Sequence, residues 1–418
     1  MRLFLLFIAY ATSLTAKIDW PDYRGPEKNG QIQGKLPLEW SEENNVTWKT
    51  EIHGKGISTP VIVDDLIAFT AANEDGGKQY FITVDYESGK ILHDKLIFTN
   101  TKVQSMGGFG INTYATPSPV TDGSYVYIHY GTYGTACVDP KTADVIWERR
   151  DINCNHHRGA ASSPILYKDL LILTLDGIDY QFVTALDKKT GETVWSTPRS
   201  TNFRDLDEDG KPKAGGDRRK GFCTPLIISV DGREQMINIG AKACYSYEPN
   251  TGEEIWVVEF ETHSAAARPV FDDEKVYIST GYAKADLLAI RPDGHGNVTN
   301  KKVEWIYKKN VPRRSSFIVQ EERLYMVDDG GIATCLNTSN GEMIWREKVG
   351  GNHSASLILA NGNLYSFNEF GDAKVFAASD TFQILNENKL DVGMFASPAV
   401  KGDSLILRTS THLYRLDD

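Results

Sequence analysis

Histidines and arginines crowd into short segments of this sequence that each end at a Ser or Thr, usually followed by Pro. The residues are His53, Asn112, His156, His157, Arg158, Arg218, Arg219, Lys220, His263, Arg268, Arg313, Arg314 and His353. Five of the nine histidines fall there, in a chain of net charge −11. A basic cluster in an acidic protein predicts a small anionic ligand, such as a carboxylate, a quinone or a sulfated sugar. Arg matches planar carboxylates, and neutral His ligates transition metals. A metal held by His53, His157, His263 and His353 would require four separate segments to converge. The competing reading is that these side chains are hydrated and bond loop carbonyls. The sequence leaves the two open.

A second constellation is acidic. Asp205-Leu206-Asp207-Glu208-Asp209-Gly210 alternates carboxylates and ends on Gly. This resembles the first half of a Ca²⁺ loop, where oxygens alternate and Gly makes the sharp turn. Gly216 stands where an EF-hand loop carries Glu, with Asp217 one residue later. The expectation is a Ca²⁺ site of Asp205, Asp207, Asp209 and Asp217 that orders a loop; a solvated acidic loop is the alternative. There is no nucleophile elbow, Walker loop, HExxH or paired CxxC. The cluster Gly107-Gly108-Phe109-Gly110 lacks the strand–turn–helix context of a phosphate loop and reads as a loop insertion. No catalytic residue is assigned.

The elements that must position these residues come from a repeat. One half is Ser or Thr, usually Pro, and two apolar runs split by a polar turn, which reads as a hairpin. It recurs at Thr59, Ser118, Ser163, Thr224, Arg268, Ser316, Ser356 and Ser397. The other half is a turn and an aromatic-ended strand, clearest in Ala185-Leu-Asp187-Lys-Lys-Thr190-Gly191-Glu-Thr-Val-Trp195. Acidic or amide residues cap such turns and Gly supplies positive φ. Each unit therefore holds four short antiparallel strands, which describes a propeller blade. Trp48, Trp147, Trp195, Trp256, Trp305 and Trp345 are expected to pack between blades, with His93 and Leu385 standing in where Trp is missing. The last unit stops without its fourth strand, and the segment 45–50 has the character to supply it and close the ring. Cys137 and Cys335 occupy the small buried place of Ala185; Cys154 and Cys223 could pair. Insertions at 99–112, 199–221 and 293–302 are expected on one face, often the binding face of a repeat array.

The ends and the composition set the compartment. Residues 1–16 combine Arg2, a short apolar run and a small-residue end at Ala16, which predicts a secretory leader, exported to the periplasm or outside the cell. A segment 17–44 would precede a propeller of residues 45–418. Hydrophobic residues are 41% and charged residues 24%, ordinary for a globular domain. The acidic balance argues against nucleic acid or anionic membrane as a partner. No transmembrane segment is expected after residue 16, and a monomer is.

The motif Ala185-x-Asp187-x-x-Thr190-Gly191-x-x-x-Trp195 resembles the tryptophan-docking motif of the PQQ-like, quinoprotein-type eight-bladed propellers. That superfamily includes PQQ-dependent alcohol dehydrogenases and the outer-membrane assembly lipoprotein BamB. Trp20-Pro-Asp22-Tyr23-Arg24-Gly25-Pro26-x-x-x-Gly30 is similar to the leader of exported PQQ-like propellers common in planctomycetes. The resemblance covers essentially the whole mature chain. It implies an all-β, eight-bladed β-propeller of four-stranded antiparallel blades whose last blade is closed by an N-terminal strand. It also departs from the dehydrogenase pattern. No two Cys are adjacent, no segment matches the family's Ca²⁺-binding Glu/Asn and catalytic Asp, and no lipobox Cys is present. The expected function is thus a non-catalytic scaffold binding an envelope or extracellular protein, or a small anion, through its loop-rich mouth. The alternatives are a PQQ- and Ca²⁺-dependent oxidoreductase and a binder of anionic polysaccharide.

Overall fold

Eight sheets surround a central axis in this computed structural model, which describes residues 17–107 and 111–418. The expected leader 1–16 and residues 108–110 of the Gly cluster lie outside the described residues. The innermost strands are Val61–Val63, Val120–Thr121, Ile165–Tyr167, Leu226–Val230, Val270–Phe271, Ile318–Gln320, Ile358–Ala360 and Ala399–Lys401, and they number blades 1 to 8. Pairing inside each blade is antiparallel. Blade 8 takes Val46–Glu51 as its outermost strand, paired antiparallel with His412–Leu416, so the two ends of the chain close the ring. No single core exists. Apolar clusters lie between successive blades, as in the layer Val61, Phe81, Val126 and Ile128 between blades 1 and 2. Each blade buries its face only against its neighbours, as expected of a stacked repeat.

The outer girdle explains the repeat's turn. Trp147 Nε1 donates to Lys188 O (2.9 Å), Trp195 to Pro249 O (3.2 Å), Trp305 to Thr338 O (3.0 Å) and Trp345 to Ser379 O (2.9 Å). Each Trp thus docks on the turn of the following blade. The turn glycine is required twice over. Gly191 has φ +75°, and a Cβ there would lie 2.7 Å from the Trp147 ring. Where the turn carries Ala143 instead, at φ 58°, the docking ring is the smaller His93, whose Nε2 lies 2.9 Å from Lys141 O. Cys137, Ala185 and Cys335 face Trp147, Trp195 and Trp345 across the strand pair, so a small residue lies opposite each large ring.

Two expectations need correction. In blade 7 the Trp position falls on Asn386, which pairs with Val375; Leu385 is 39% exposed. Blade 8 has no intact turn for a Trp to dock on, because both chain ends lie there. Segment 36–44 fills the space, with Trp40 stacked on Tyr365 and Phe367 and Asn386 donating to Leu38 O. The insertion 293–302 joins Leu287–Ile290 to Val303–Tyr307, which puts it at the turn end of the ring and not with the other two insertions. There Pro292 O accepts from Trp256, and Gly296–Asn297 adds a parallel strand to blade 4.

Candidate functional site

The Ser/Thr that opens an innermost strand ties six of the eight neighbouring blade pairs together around the axis among the described residues. Thr59 N–H donates to Ser118 Oγ, Ser118 N–H to Ser163 Oγ and Ser163 N–H to Thr224 Oγ1, at 2.9, 2.9 and 3.0 Å. Arg268, Ser316 and Ser356 continue the belt onto Ser316, Ser356 and Ser397 at 2.9, 3.0 and 2.9 Å. Proline follows naturally, because an innermost strand has no inner neighbour to receive its N–H. Blade 5 breaks the pattern by placing Arg268 where a hydroxyl belongs.

Arg268 is needed below the belt. The segment 18–32 crosses the turn end of the channel as a floor. Ile18–Trp20 adds antiparallel to Val61–Val63, and Gln31–Ile32 adds parallel to Ile358–Ala360. Between them Asp22 pairs with Arg268 (3.1 Å), both nearly inaccessible. Tyr23 Oη meets Ser316 Oγ at 2.5 Å, and Arg24 donates to Leu357 O and Phe317 O. The channel becomes a blind pit of about 110 Å³ floored by Tyr23 and ringed by belt hydroxyls. Arg314, Asn112, Phe222 and Phe395 line its loop side.

The loop end places the remaining sequence candidates, and most are engaged within the protein. Arg158 makes a two-pronged pair with Asp217 (2.6 and 2.9 Å), and Arg219 does the same with Asp205. Each arginine holds its aspartate below the usual carboxylate range. Arg313 and Arg314 share Asp329, and Arg314 also reaches Glu369 (2.9 Å). Asn112 donates to Arg158 O. His156 and His353 are 5% and 3% exposed, and burial drives both below the ordinary imidazole value. His156 lies between Cys154 Sγ (3.3 Å) and the buried Lys220 Nζ (3.4 Å). His263 packs against Tyr282 and approaches His157 and Arg158 only around Asp217. His53 sits apart, over blade 1, paired with Asp94 at 2.6 Å. Arg268 belongs to the floor. All five thiols are buried and none is in a disulfide, including Cys154 and Cys223.

Cation chemistry does not assemble from these groups. Asp207 accepts from the N–H groups of Asp209 and Lys211, closing its own turn. Asp205 and Asp217 face different arginines. Among the described residues, no three His, Cys, Asp or Glu side chains converge on a metal-sized site. A quinone with Ca²⁺ does not fit the pit either. The cavity is well below the roughly 300 Å³ of a small-molecule pocket.

Beside exposed charged residues such as Glu208, Lys213 and Arg218, the loop end leaves large apolar side chains in solvent. Tyr180, Leu206, Tyr282 and Phe370 are 48%, 56%, 41% and 57% exposed, all in loops between the second and third or fourth and first strands. Sequence reasoning missed this, and it missed the floor. The signal for the floor was present: Arg268 is the one charged residue in a position otherwise held by Ser or Thr.

Comparison with known proteins supports the repeat resemblance and the fold. A family profile described as outer membrane protein assembly factor BamB matches residues 82–197. BamB from Moraxella catarrhalis superposes with TM-score 0.59 at 12% identity, over 89% of this chain and 99% of that one. The quinohemoprotein alcohol dehydrogenase from Comamonas testosteroni gives 0.64 at 12% identity, over 95% and 80%. A computationally designed protein, Ika8, gives 0.58 at 12% identity, over 90% and 100%. No curated protein matches by sequence. An assembly factor, an oxidoreductase and a design share the fold, so the fold carries no activity. No helix among the described residues is long and apolar enough to cross a membrane.

Proposed function

We propose that this protein is an exported, non-catalytic scaffold that docks a protein partner on the loop end of its propeller. The observation that carries this is the division of labour there. Arg158, Arg219, Arg313 and Arg314 are engaged in ion pairs that order loops, while the large apolar side chains Tyr180, Leu206, Tyr282 and Phe370 remain in solvent. Aromatic side chains exposed on rigid loops are the groups that anchor protein interfaces. The BamB match over residues 82–197 supports a scaffold reading. Release of residues 1–16 would deliver it outside the cytoplasm, where N-terminal sequencing of the mature protein should begin at Lys17.

The test is stoichiometric capture of an envelope or extracellular protein by residues 17–418. Tyr282→Ala with Phe370→Ala should abolish the capture, and Val194→Ala on the outer rim should not. Dye-linked alcohol oxidation by protein incubated with PQQ and Ca²⁺ would replace this reading with the oxidoreductase.

A further inference from the structure

The axial pit is a ring of unused hydrogen-bond donors. Ser118, Ser163, Thr224, Ser356 and Ser397 each receive a neighbour's N–H on the side-chain oxygen. A hydroxyl that has accepted still carries its own proton to donate. Among the described residues, none of the five donates to a protein acceptor. All are at least nine-tenths buried, and all line the same cavity. Buried donors without acceptors are costly, so a ring of them asks for an acceptor on the axis.

The surrounding charge has the same sign. Arg24, Arg268 and Arg408 are 2%, 1% and 1% exposed, and one nitrogen of each has no partner. Asp22 is the single carboxylate among their hydrogen-bond partners. Arg24 is otherwise held by backbone carbonyls of Leu357, Asn29 and Phe317, next in sequence to belt residues Ser356 and Ser316. Arg408 is held by Ser58, next to Thr59. Burial pulls the Arg24 and Arg408 guanidiniums down to about 10 and about 9. Arg24 and Arg408, whose side chains meet no carboxylate among the described residues, are buried cations that favour an anion nearby. Arg314, shared with Asp329 and Glu369, adds a guanidinium to the lining itself.

We infer that the pit is a binding site for one small oxyanion, held by the belt hydroxyls with Arg314 on its loop side. The volume, about 110 Å³, has room for a carboxylate or a tetrahedral oxyanion. Two sources share this chemistry: a free inorganic anion, or a carboxylate side chain that a docked partner lowers from the loop end. The inference does not require a partner, so it stands or falls separately from the scaffold reading.

The experiment uses residues 17–418 with phosphate, sulfate or acetate replacing chloride at constant ionic strength, read as thermal midpoint and by calorimetry. Crystals soaked in selenate or bromoacetate locate the anion by anomalous scattering. The expected result is saturable stabilisation and an anomalous peak on the axis within hydrogen-bond reach of the belt. Ser163→Thr with Ser356→Thr keeps both acceptors, as Thr59 and Thr224 show Thr fits the belt, and adds two methyls to the lining. It should fold normally and weaken anion binding at least tenfold; Arg314→Gln should weaken it less. Binding of acetate and bromoacetate without phosphate or selenate assigns the site to a carboxylate, and the reverse assigns it to an inorganic anion. No saturable response, or peaks confined to surface arginines, overturns the inference.

Discussion

The floor of the channel and the rim of its loop end treat charge in opposite ways. At the turn end, Asp22 and Arg268 are withdrawn from water, and Arg24 lies beside them with carbonyls for company. At the rim of the loop end, Arg158 and Arg313 meet their aspartates partly in solvent, at 30% and 36% side-chain exposure, whereas deeper in the same end Arg199 and Asp176 are as withdrawn from water as the floor pair. A buried pair is expensive to break, because the survivor is left charged in a poor solvent. A half-exposed pair is cheap to break, because water takes over. The floor is therefore built for permanence, as is the buried Arg199–Asp176 pair beneath the loops, while the rim pairs of the loop end can give way.

The sharpest way to break this contrast is to remove one cation from each end. Arg268→Ala should cost about 3–5 kcal/mol, since Asp22 stays buried without its partner. Arg158→Ala should cost about 1 kcal/mol or less. Urea unfolding measures both. Adding Asp22→Asn to Arg268→Ala should recover much of the loss. Equal costs at the two ends would refute the contrast.

Acid probes the same contrast through histidine. His129 is 1% exposed, and burial lowers its imidazole to about 4. An unfolded chain binds a proton at that residue below about pH 6.5, and the folded one does not until near pH 4. The folded state therefore loses stability as pH falls through that window, by about 1.4 kcal/mol per pH unit for each such group. His156 and His353 act in the same direction. Replacing His129 with Gln should remove one proton's worth of slope from urea midpoints between pH 6.5 and 4.5. The loop-end aspartates titrate lower. Their folded values are depressed, so the stability they add is present above about pH 4 and is lost below it. Proteolysis within 199–221 should therefore rise only below that pH.

The girdle offers a third, smaller effect and shows how far the sequence could be read. Gly191→Ala should cost about 2–3 kcal/mol, from positive φ and the crowding of Trp147. Trp147→His should relieve part of that cost, because the chain already pairs His93 with Ala143. Additive costs would mean the His93–Ala143 pairing is coincidental. Repeat number, strand count and ring closure were legible, because each blade rewrites the same period and the same Trp-to-turn contact. The one Trp position assigned to the wrong residue, Leu385 instead of Asn386, lies where the repeat has no turn to dock on. The candidate site was less legible. The sequence shows that Arg158, Arg219 and Arg313 stand near the channel, but pairing is decided by Asp217, Asp205 and Asp329, which sit 59, 14 and 16 residues away. A periodic pattern cannot report non-periodic partners. The two places where it was locally violated, Arg268 in the belt and Ala143 in the turn, mark real changes of job.

The smallest expected effect on stability belongs to the residues given the most to do. Phe370 is 57% exposed, in the loop between the second and third strands of blade 7. Truncating it removes little packing, so Phe370→Ala should shift the urea midpoint by about 0.5 kcal/mol or less. If the loop end is the docking face, the same change should cost about 2 kcal/mol or more in partner affinity, since an aromatic anchor is lost. Tyr282 makes a harder case, because Arg313 stacks on its ring and His263 packs beside it. Its removal frees two loops as well as an anchor, and some stability should go with it. Phe370 is therefore the cleaner probe. A Phe370→Ala protein that folds like wild type and still captures its partner would move the docking face away from the loop end, whatever Tyr282→Ala does.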